Sequence, residues 1–183
     1  VKVTAAVAKA TDYAKGERNG HDMAYVEAGT KLGVVDAKAA WYRVDNFLTT
    51  DIDAEVYAVQ AGLPLAKDLK FAATYFFNET ENIEGLMDDG FVLALNYKGA
   101  KASKPGSWGL WAKYYDQPAG LAVDPTWEAQ EPAFGDKFGW EAWGVGADYA
   151  LAKNIVAQVK YYDLDADDDN DYETLYAQVN FSF

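Results

Sequence analysis

The last residues of the chain, 172–183, restrict the possible folds more than any other stretch. They read YETLYAQVNFSF, in which the apolar side chains of Leu175 and Val179 alternate with the polar ones of Thr174 and Gln178. Successive side chains of a β-strand point to opposite faces, so this pattern predicts a strand with one apolar and one polar face. The stretch ends on an aromatic residue, Phe183. An apolar face of this kind suits a sheet that faces lipid.

The same alternation recurs along the whole chain. Ten segments are predicted as strands: 1–11, 22–35, 38–48, 54–63, 68–78, 90–99, 106–116, 138–151, 154–163 and 172–183. Most have the roughly 9 to 11 residues that a tilted membrane strand needs. Long connections such as DYAKGERNGH alternate with short ones such as VVDAK, which is typical of outer-membrane barrels. We therefore predict an all-β fold, an antiparallel transmembrane β-barrel of about ten strands in one domain, 1–183.

An ordinary antiparallel sheet packed on a hydrophobic core is the alternative to the membrane barrel. It predicts the same alternation, but it predicts no asymmetry of loop length. Aromatic residues near the strand ends are predicted to form two interfacial girdles: Tyr42, Phe77, Tyr97, Trp108, Tyr114, Trp143, Tyr149, Tyr161 and Phe183.

Composition excludes several classes of protein. The net charge of −13 argues against a nucleic-acid partner, which would select a basic surface. The chain has no cysteine, so it has neither disulfides nor thiolate metal sites. No window approaches the roughly 18 to 20 continuous apolar residues of a membrane helix. Soluble proteins and β-barrels remain.

The C-terminal segments resemble a known family. YALAKNIVAQVKYYD (149–163) and YETLYAQVNFSF are similar to the end of the porins of diderm Firmicutes, and the terminal Phe is similar to the assembly signal of bacterial outer-membrane barrels. The resemblance implies an integral outer-membrane location with both termini periplasmic. It also implies contacts with outer-membrane lipid and lipopolysaccharide, a homotrimer, and passive diffusion of small hydrophilic solutes and ions without a cofactor. Members of the family have more than ten strands and an S-layer homology domain. Such a domain is not visible here, so no wall tether is implied. The chain is expected to be the C-terminal portion of a larger porin, and a shorter relative is the alternative.

The face opposite the apolar set is predicted to line the barrel. Ionisable side chains inside a membrane have to face water or a partner. The predicted pore-lining charges are Glu27, Lys31, Arg43, Asp45, Lys70, Lys98, Lys113, Asp148 and Lys160. Because cations dominate this wall, weak anion preference is expected. In a barrel as narrow as ten strands these charges could instead pair and close the lumen, which makes a non-conducting anchor the alternative.

One connection, 117–137, is long enough to fold into the lumen. It carries Asp124, Glu128, Glu131 and Asp136, which are candidates for a constriction that opposes the cationic wall. A surface loop is the other interpretation of the same stretch.

No catalytic or metal site is predicted. The acidic run from Asp163 to Asp171 lacks the glycine turn and terminal glutamate of a calcium loop, so it is interpreted as a solvated loop. His21 is the single histidine, with Asp12, Glu17 and Asp22 nearby. Omptin proteases are ten-stranded barrels that use carboxylates with a histidine, so a protease of that type is the enzymatic alternative.

Overall fold

The computed structural model describes residues 1–12, 19–44, 54–78, 89–117, 139–166 and 170–182. These residues form one antiparallel sheet of ten strands, in which spatial order follows chain order. The strands are β1 (Lys2–Asp12), β2 (Asn19–Leu32), β3 (Val35–Val44), β4 (Ala54–Ala66), β5 (Leu69–Asn78), β6 (Asp89–Lys98), β7 (Trp108–Gln117), β8 (Trp140–Ala152), β9 (Ile155–Ala166) and β10 (Asn170–Phe181). The prediction of an all-β chain with antiparallel strands is confirmed.

The connections differ between the two ends of the sheet. At the turn end, residues 33–34, 67–68 and 153–154 join strands in tight turns, and the longer loop 99–107 joins β6 to β7. Gly33 (φ 63°) and Asn154 (φ 65°) adopt the left-handed backbone that such hairpin turns require. The connections at the opposite end, the loop end, are 13–18, 45–53, 79–88, 118–139 and 167–169. Both β1 and β10 have their outer termini at the turn end.

Register divides the side chains between two faces. Val92 lies opposite Tyr115, which lies opposite Ala142, which lies opposite Leu164. All four are buried, and we call the face that carries them the inner face. The buried cluster on it runs from β3 to β9 and contains Ala40, Tyr42, Val56, Ala58, Phe76, Val92, Tyr115, Ala142, Tyr162 and Leu164. In register terms this cluster occupies the half of the inner face nearer the loop end.

Small residues on β8 make room for aromatic rings on its two neighbours. Strands two apart lie roughly 9 to 10 Å from each other, yet the rings of Trp111 on β7 and Tyr162 on β9 have centroids 5.9 Å apart. The inner positions of β8 between them are Gly144 and Gly146. A Cβ at Gly144 would lie 2.8 Å from the Tyr162 ring, and one at Gly146 would overlap the Trp111 indole. The two glycines therefore seat the rings across β8.

Three sequence expectations need correction. Register places Tyr42 on the inner face, where it is buried, and Arg43 on the opposite face with Trp41. The predictions that Arg43 faces inward and that Tyr42 lies in an interfacial girdle were therefore wrong by one residue. They failed because Trp41 and Tyr42 are adjacent aromatic residues, so the sequence of β3 does not show which of its two faces is apolar. The acidic run is also mostly strand, since β9 extends to Ala166 and β10 begins at Asn170.

The sheet has two open edges. Among the described residues β1 contacts only β2, and β10 contacts only β9. No helix in the described ranges is both long and apolar enough to cross a membrane.

Candidate functional site

The outer face, opposite the buried cluster, exposes apolar side chains. Every strand except β3 presents at least one exposed large apolar side chain there, such as Val7 (87%), Trp143 (63%) and Leu175 (69%). Between the tight turns and the first carboxylates near the loop end, the outward positions of the described strands hold no charged side chain. Soluble monomers rarely expose contiguous apolar patches above a few hundred Å². This face is therefore suited to contact with an apolar environment.

An aromatic and acidic belt borders the apolar band at the loop end. Three of its carboxylates, Glu55, Asp89 and Glu141, accept hydrogen bonds from the polar tips of aromatic side chains on the outer face. The pairs are Trp41 and Tyr57 with Glu55 (2.6 and 2.8 Å), Tyr75 with Asp89 (2.6 Å), and Tyr114 with Glu141 (2.5 Å). Aromatic rings with a polar tip suit a boundary that is apolar on one side and wet on the other. At the turn end the outer face carries three exposed aromatic residues of the same kind, Tyr97, Trp108 and Tyr149.

Toward the turn end the inner face becomes polar. Gln158 donates to Asp148 (2.7 Å) and accepts hydrogen bonds from Gln178 (2.5 Å) and Asn180 (2.6 Å). Gln60 on β4 donates to Thr74 on β5 (2.9 Å). The inner face thus has two zones, an apolar cluster nearer the loop end and a hydrogen-bonded polar wall nearer the turn end.

A cavity of about 790 Å³ opens at the turn end of the polar zone. Inner-face residues of β2, β3, β5 and β6 line it, including Lys31, Asp36, Lys70 and Asn96. Lys70 and Asp36 form a salt bridge of 3.5 Å, with both side chains about half exposed. A cavity of this size, lined by lysines and other polar groups together with apolar side chains and open to solvent, can hold a small hydrophilic molecule.

Loop 99–107 completes the cavity wall. Its backbone is bonded to the neighbouring turn, since Asn154 N donates to Ala102 O (2.7 Å) and Gly106 N donates to Ala150 O (2.8 Å). Ser107 Oγ accepts from Lys101 N (2.7 Å) and donates to Lys104 O (2.7 Å). These bonds hold two lysines at the mouth of the cavity.

Most of the charges predicted to face inward do so by register. Glu27, Lys31, Lys70, Lys113, Asp148 and Lys160 share the inner face. They are not brought together: Lys31 and Lys70 line the cavity, whereas Lys113 lies over the Trp111 ring (4.8 Å) in the middle of β7. Lys98 ends β6 at the rim, where its ammonium lies 4.1 Å from the centroid of Trp108. Whether any of them lines a pore stays a prediction.

The remaining predicted residues are placed differently. Asp45 and the constriction candidates Asp124, Glu128, Glu131 and Asp136 lie outside the described residues. His21 belongs to β2, opposite Ala10, and not to a loop as expected. No group of three or more His, Cys, Asp or Glu suited to a metal ion occurs in the described part of the chain.

Sequence reasoning missed the residues that close the cavity. Lys67, Lys101 and Lys104 lie in connections, and the sequence pattern assigned them no role. The available signal was KASKP in the one turn-end connection longer than two residues. A loop of that length on the short-turn side can fold back over the sheet.

Comparison with known proteins adds no assignment. No protein-family model matches this sequence, and no curated protein matches it, so the function has to be inferred from the residues and geometry above.

Proposed function

We propose that this chain forms part of an outer-membrane β-barrel channel through which small hydrophilic solutes and ions diffuse passively. The observation that carries the proposal is the separation of the two faces, with an uncharged apolar band outside and lysines, carboxylates and amides inside. In hydrocarbon only a fully hydrogen-bonded helix or closed sheet is viable, and lipid-facing positions have to be apolar. A non-barrel sheet in water has no reason to keep charges off its most exposed face.

The length of the band supports a membrane span. The strands have 10 to 14 residues, against the roughly 9 to 11 that a tilted strand needs to cross a bilayer. On β5 the outward positions run from Leu69 near the turn to Phe77 near the acidic belt, with only apolar or aromatic side chains between them. The excess length continues the sheet beyond the hydrocarbon at the loop end, where the carboxylates lie.

Closure of the sheet is the first requirement of the proposal. Unpaired backbone groups in hydrocarbon cost several kcal/mol each, so β1 and β10 have to pair in the membrane. The two edge strands run in opposite directions, so each can pair with the other, with the same strands of a second copy, or with further strands outside residues 1–183. Outward positions Ala5 on β1 and Ala177 on β10 are suitable probes, because the chain has no cysteine of its own.

We expect Ala5→Cys to form a disulfide, on oxidation in lipid vesicles, with at least one of Leu175→Cys, Ala177→Cys and Val179→Cys. An intramolecular product would show that ten strands close on themselves, and a cross-linked dimer would show pairing between copies. A matched pair with the second cysteine on the central strand β6, at Leu93, should not cross-link. If all three edge pairs behave like this control, the two edges do not meet, and their closure by each other is excluded.

Conductance is the direct test of the function. In planar bilayers we expect the purified chain to give current steps above the lipid background, with weak anion preference in a salt gradient. Lys113→Glu with Lys160→Glu changes two inner-face charges and should shift the reversal potential toward cations. Lys153→Glu, in the exposed β8–β9 turn, is the control and should shift it less. Absence of steps from a folded, inserted chain would contradict the channel.

A barrel that does not conduct is the second candidate, favoured by the buried inner cluster. Tyr42, Phe76, Tyr115 and Tyr162 are at most 2% exposed. A lumen filled by such rings over half its length would pass no solute, and the same bilayer recordings distinguish this anchor from a channel.

A further inference from the structure

The cavity at the turn end concentrates positive charge in an acidic protein. Six lysines contribute to its wall, against two carboxylates, Asp36 and Asp68. The lysines are Lys31, Lys67, Lys70, Lys98, Lys101 and Lys104. They come from β2, the β4–β5 turn, β5, β6 and loop 99–107. The whole chain carries 29 acidic and 16 basic residues, so this collection is opposite in sign to its surroundings.

Most of these cations lack an acidic partner. Lys70 is bonded to Asp36, and Lys98 lies over Trp108. Within the described ranges, Lys31, Lys67, Lys101 and Lys104 have no carboxylate within salt-bridge distance. Ammonium groups that share one cavity repel one another, and an anion between them relieves that repulsion.

Hydrogen bonds hold the backbone of loop 99–107, which forms part of the cavity wall. Ser107 bonds the backbone of both Lys101 and Lys104, and Gly99 N donates to Trp108 O (3.2 Å) across the base of the loop. Gly109 allows this approach, because a Cβ there would lie 2.6 Å from the Gly99 backbone. These bonds fix the backbone from which the side chains of Lys101 and Lys104 project.

We infer that this cavity is a binding site for small solutes that carry two or more phosphate or carboxylate groups. Its volume of about 790 Å³ fits one such molecule, and ammonium groups are compact donors to anionic oxygens. The inference rests on the proposed function in one respect, namely that the ligand is a solute entering or leaving the barrel. Most of the lining belongs to the inner face and the turn-end connections, and Leu69 and Trp108 of the outer face also contribute to it. We take a dissolved anion as the ligand and test a lipid headgroup separately.

Inorganic pyrophosphate is the probe for the test. Isothermal titration of the full chain in zwitterionic detergent should show saturable binding that weakens as salt is raised. The triple variant Lys67→Gln, Lys101→Gln, Lys104→Gln should bind pyrophosphate at least about tenfold more weakly. A tenfold change corresponds to roughly 1.4 kcal/mol, which the three removed charges account for together. Lys153→Gln, which removes one cation from a turn that does not line the cavity, should stay within about twofold of the parent. The single variants Lys101→Gln and Lys104→Gln replace the triple one if it does not fold.

The outcomes separate this inference from the channel proposal. Equal affinity of the parent and the lysine variants, or absence of pyrophosphate binding, overturns the inference even if the protein conducts. Binding to micelles of an anionic phospholipid without binding to pyrophosphate also overturns it, because the ligand is then a headgroup. Pyrophosphate binding by a folded chain that never conducts retains the anion site and rejects the channel.

Discussion

Leu93→Arg is expected to destabilise the membrane-inserted protein by about 2 to 4 kcal/mol, the cost of a guanidinium near the middle of the lipid-facing surface of a barrel. Leu93 is the central outward residue of β6, lies opposite Ala73 and Tyr114, and is 37% exposed. Urea titration of the protein folded into phospholipid vesicles measures the change, and heat-modifiable gel mobility reports loss of the folded form.

Thr4→Arg is the control for this substitution. It places the same side chain on the inner face, at an exposed position of β1 opposite Glu27 and outside the lysine-lined cavity. There the charge is solvated, and substitutions at such positions usually stay within about 0.5 kcal/mol. Equal, small effects at both positions would mean that Leu93 faces water and that the outer face is not embedded in lipid.

Gly146→Ala is the second substitution with a large expected effect on stability, and the direction of that effect tests the contact with Trp111. In a strand that imposes no special backbone angle, alanine in place of glycine normally stabilises by about 0.5 to 1 kcal/mol. Here the new methyl group would overlap the Trp111 indole, and overpacking typically costs about 1 to 3 kcal/mol. We therefore expect net destabilisation, measured by the same urea titration.

Two variants isolate the cause. Gly29→Ala, on the inner face of β2, places its Cβ at an ordinary 3.5 Å from Lys38, so it should be neutral or stabilising. In a Trp111→Ala background, Gly146→Ala should lose most of its cost, because the ring that it meets is gone. An unchanged cost in that background would locate the strain elsewhere than in the Trp111 contact.

The sequence alone determined the strands and, for most of them, the face of each residue. Period-two alternation is a local property, so FVLALNYK and NIVAQVKYY predicted both the strands and the outward set that register later gave. The existence of the short turns was predicted, but the β2–β3 turn lies at 33–34 and not at 36–37, because Gly33 supplies the left-handed backbone that the turn needs. Alternation failed on β3, where Trp41 and Tyr42 are both aromatic and only pairing with Val56 and Tyr57 decides which is buried.

Only the tertiary structure decided which side chains of the inner face and its connections meet. Lys31, Lys67 and the pair Lys101 and Lys104 come from three separate parts of the sequence. They share one cavity because β2, the β4–β5 turn and loop 99–107 meet at the same end of the sheet. The role of the β8 glycines could not be predicted from the sequence for the same reason, because it depends on rings from β7 and β9 that meet over them. Strand pairing brings residues together over long separations, and a local pattern carries no information on which side chains then touch.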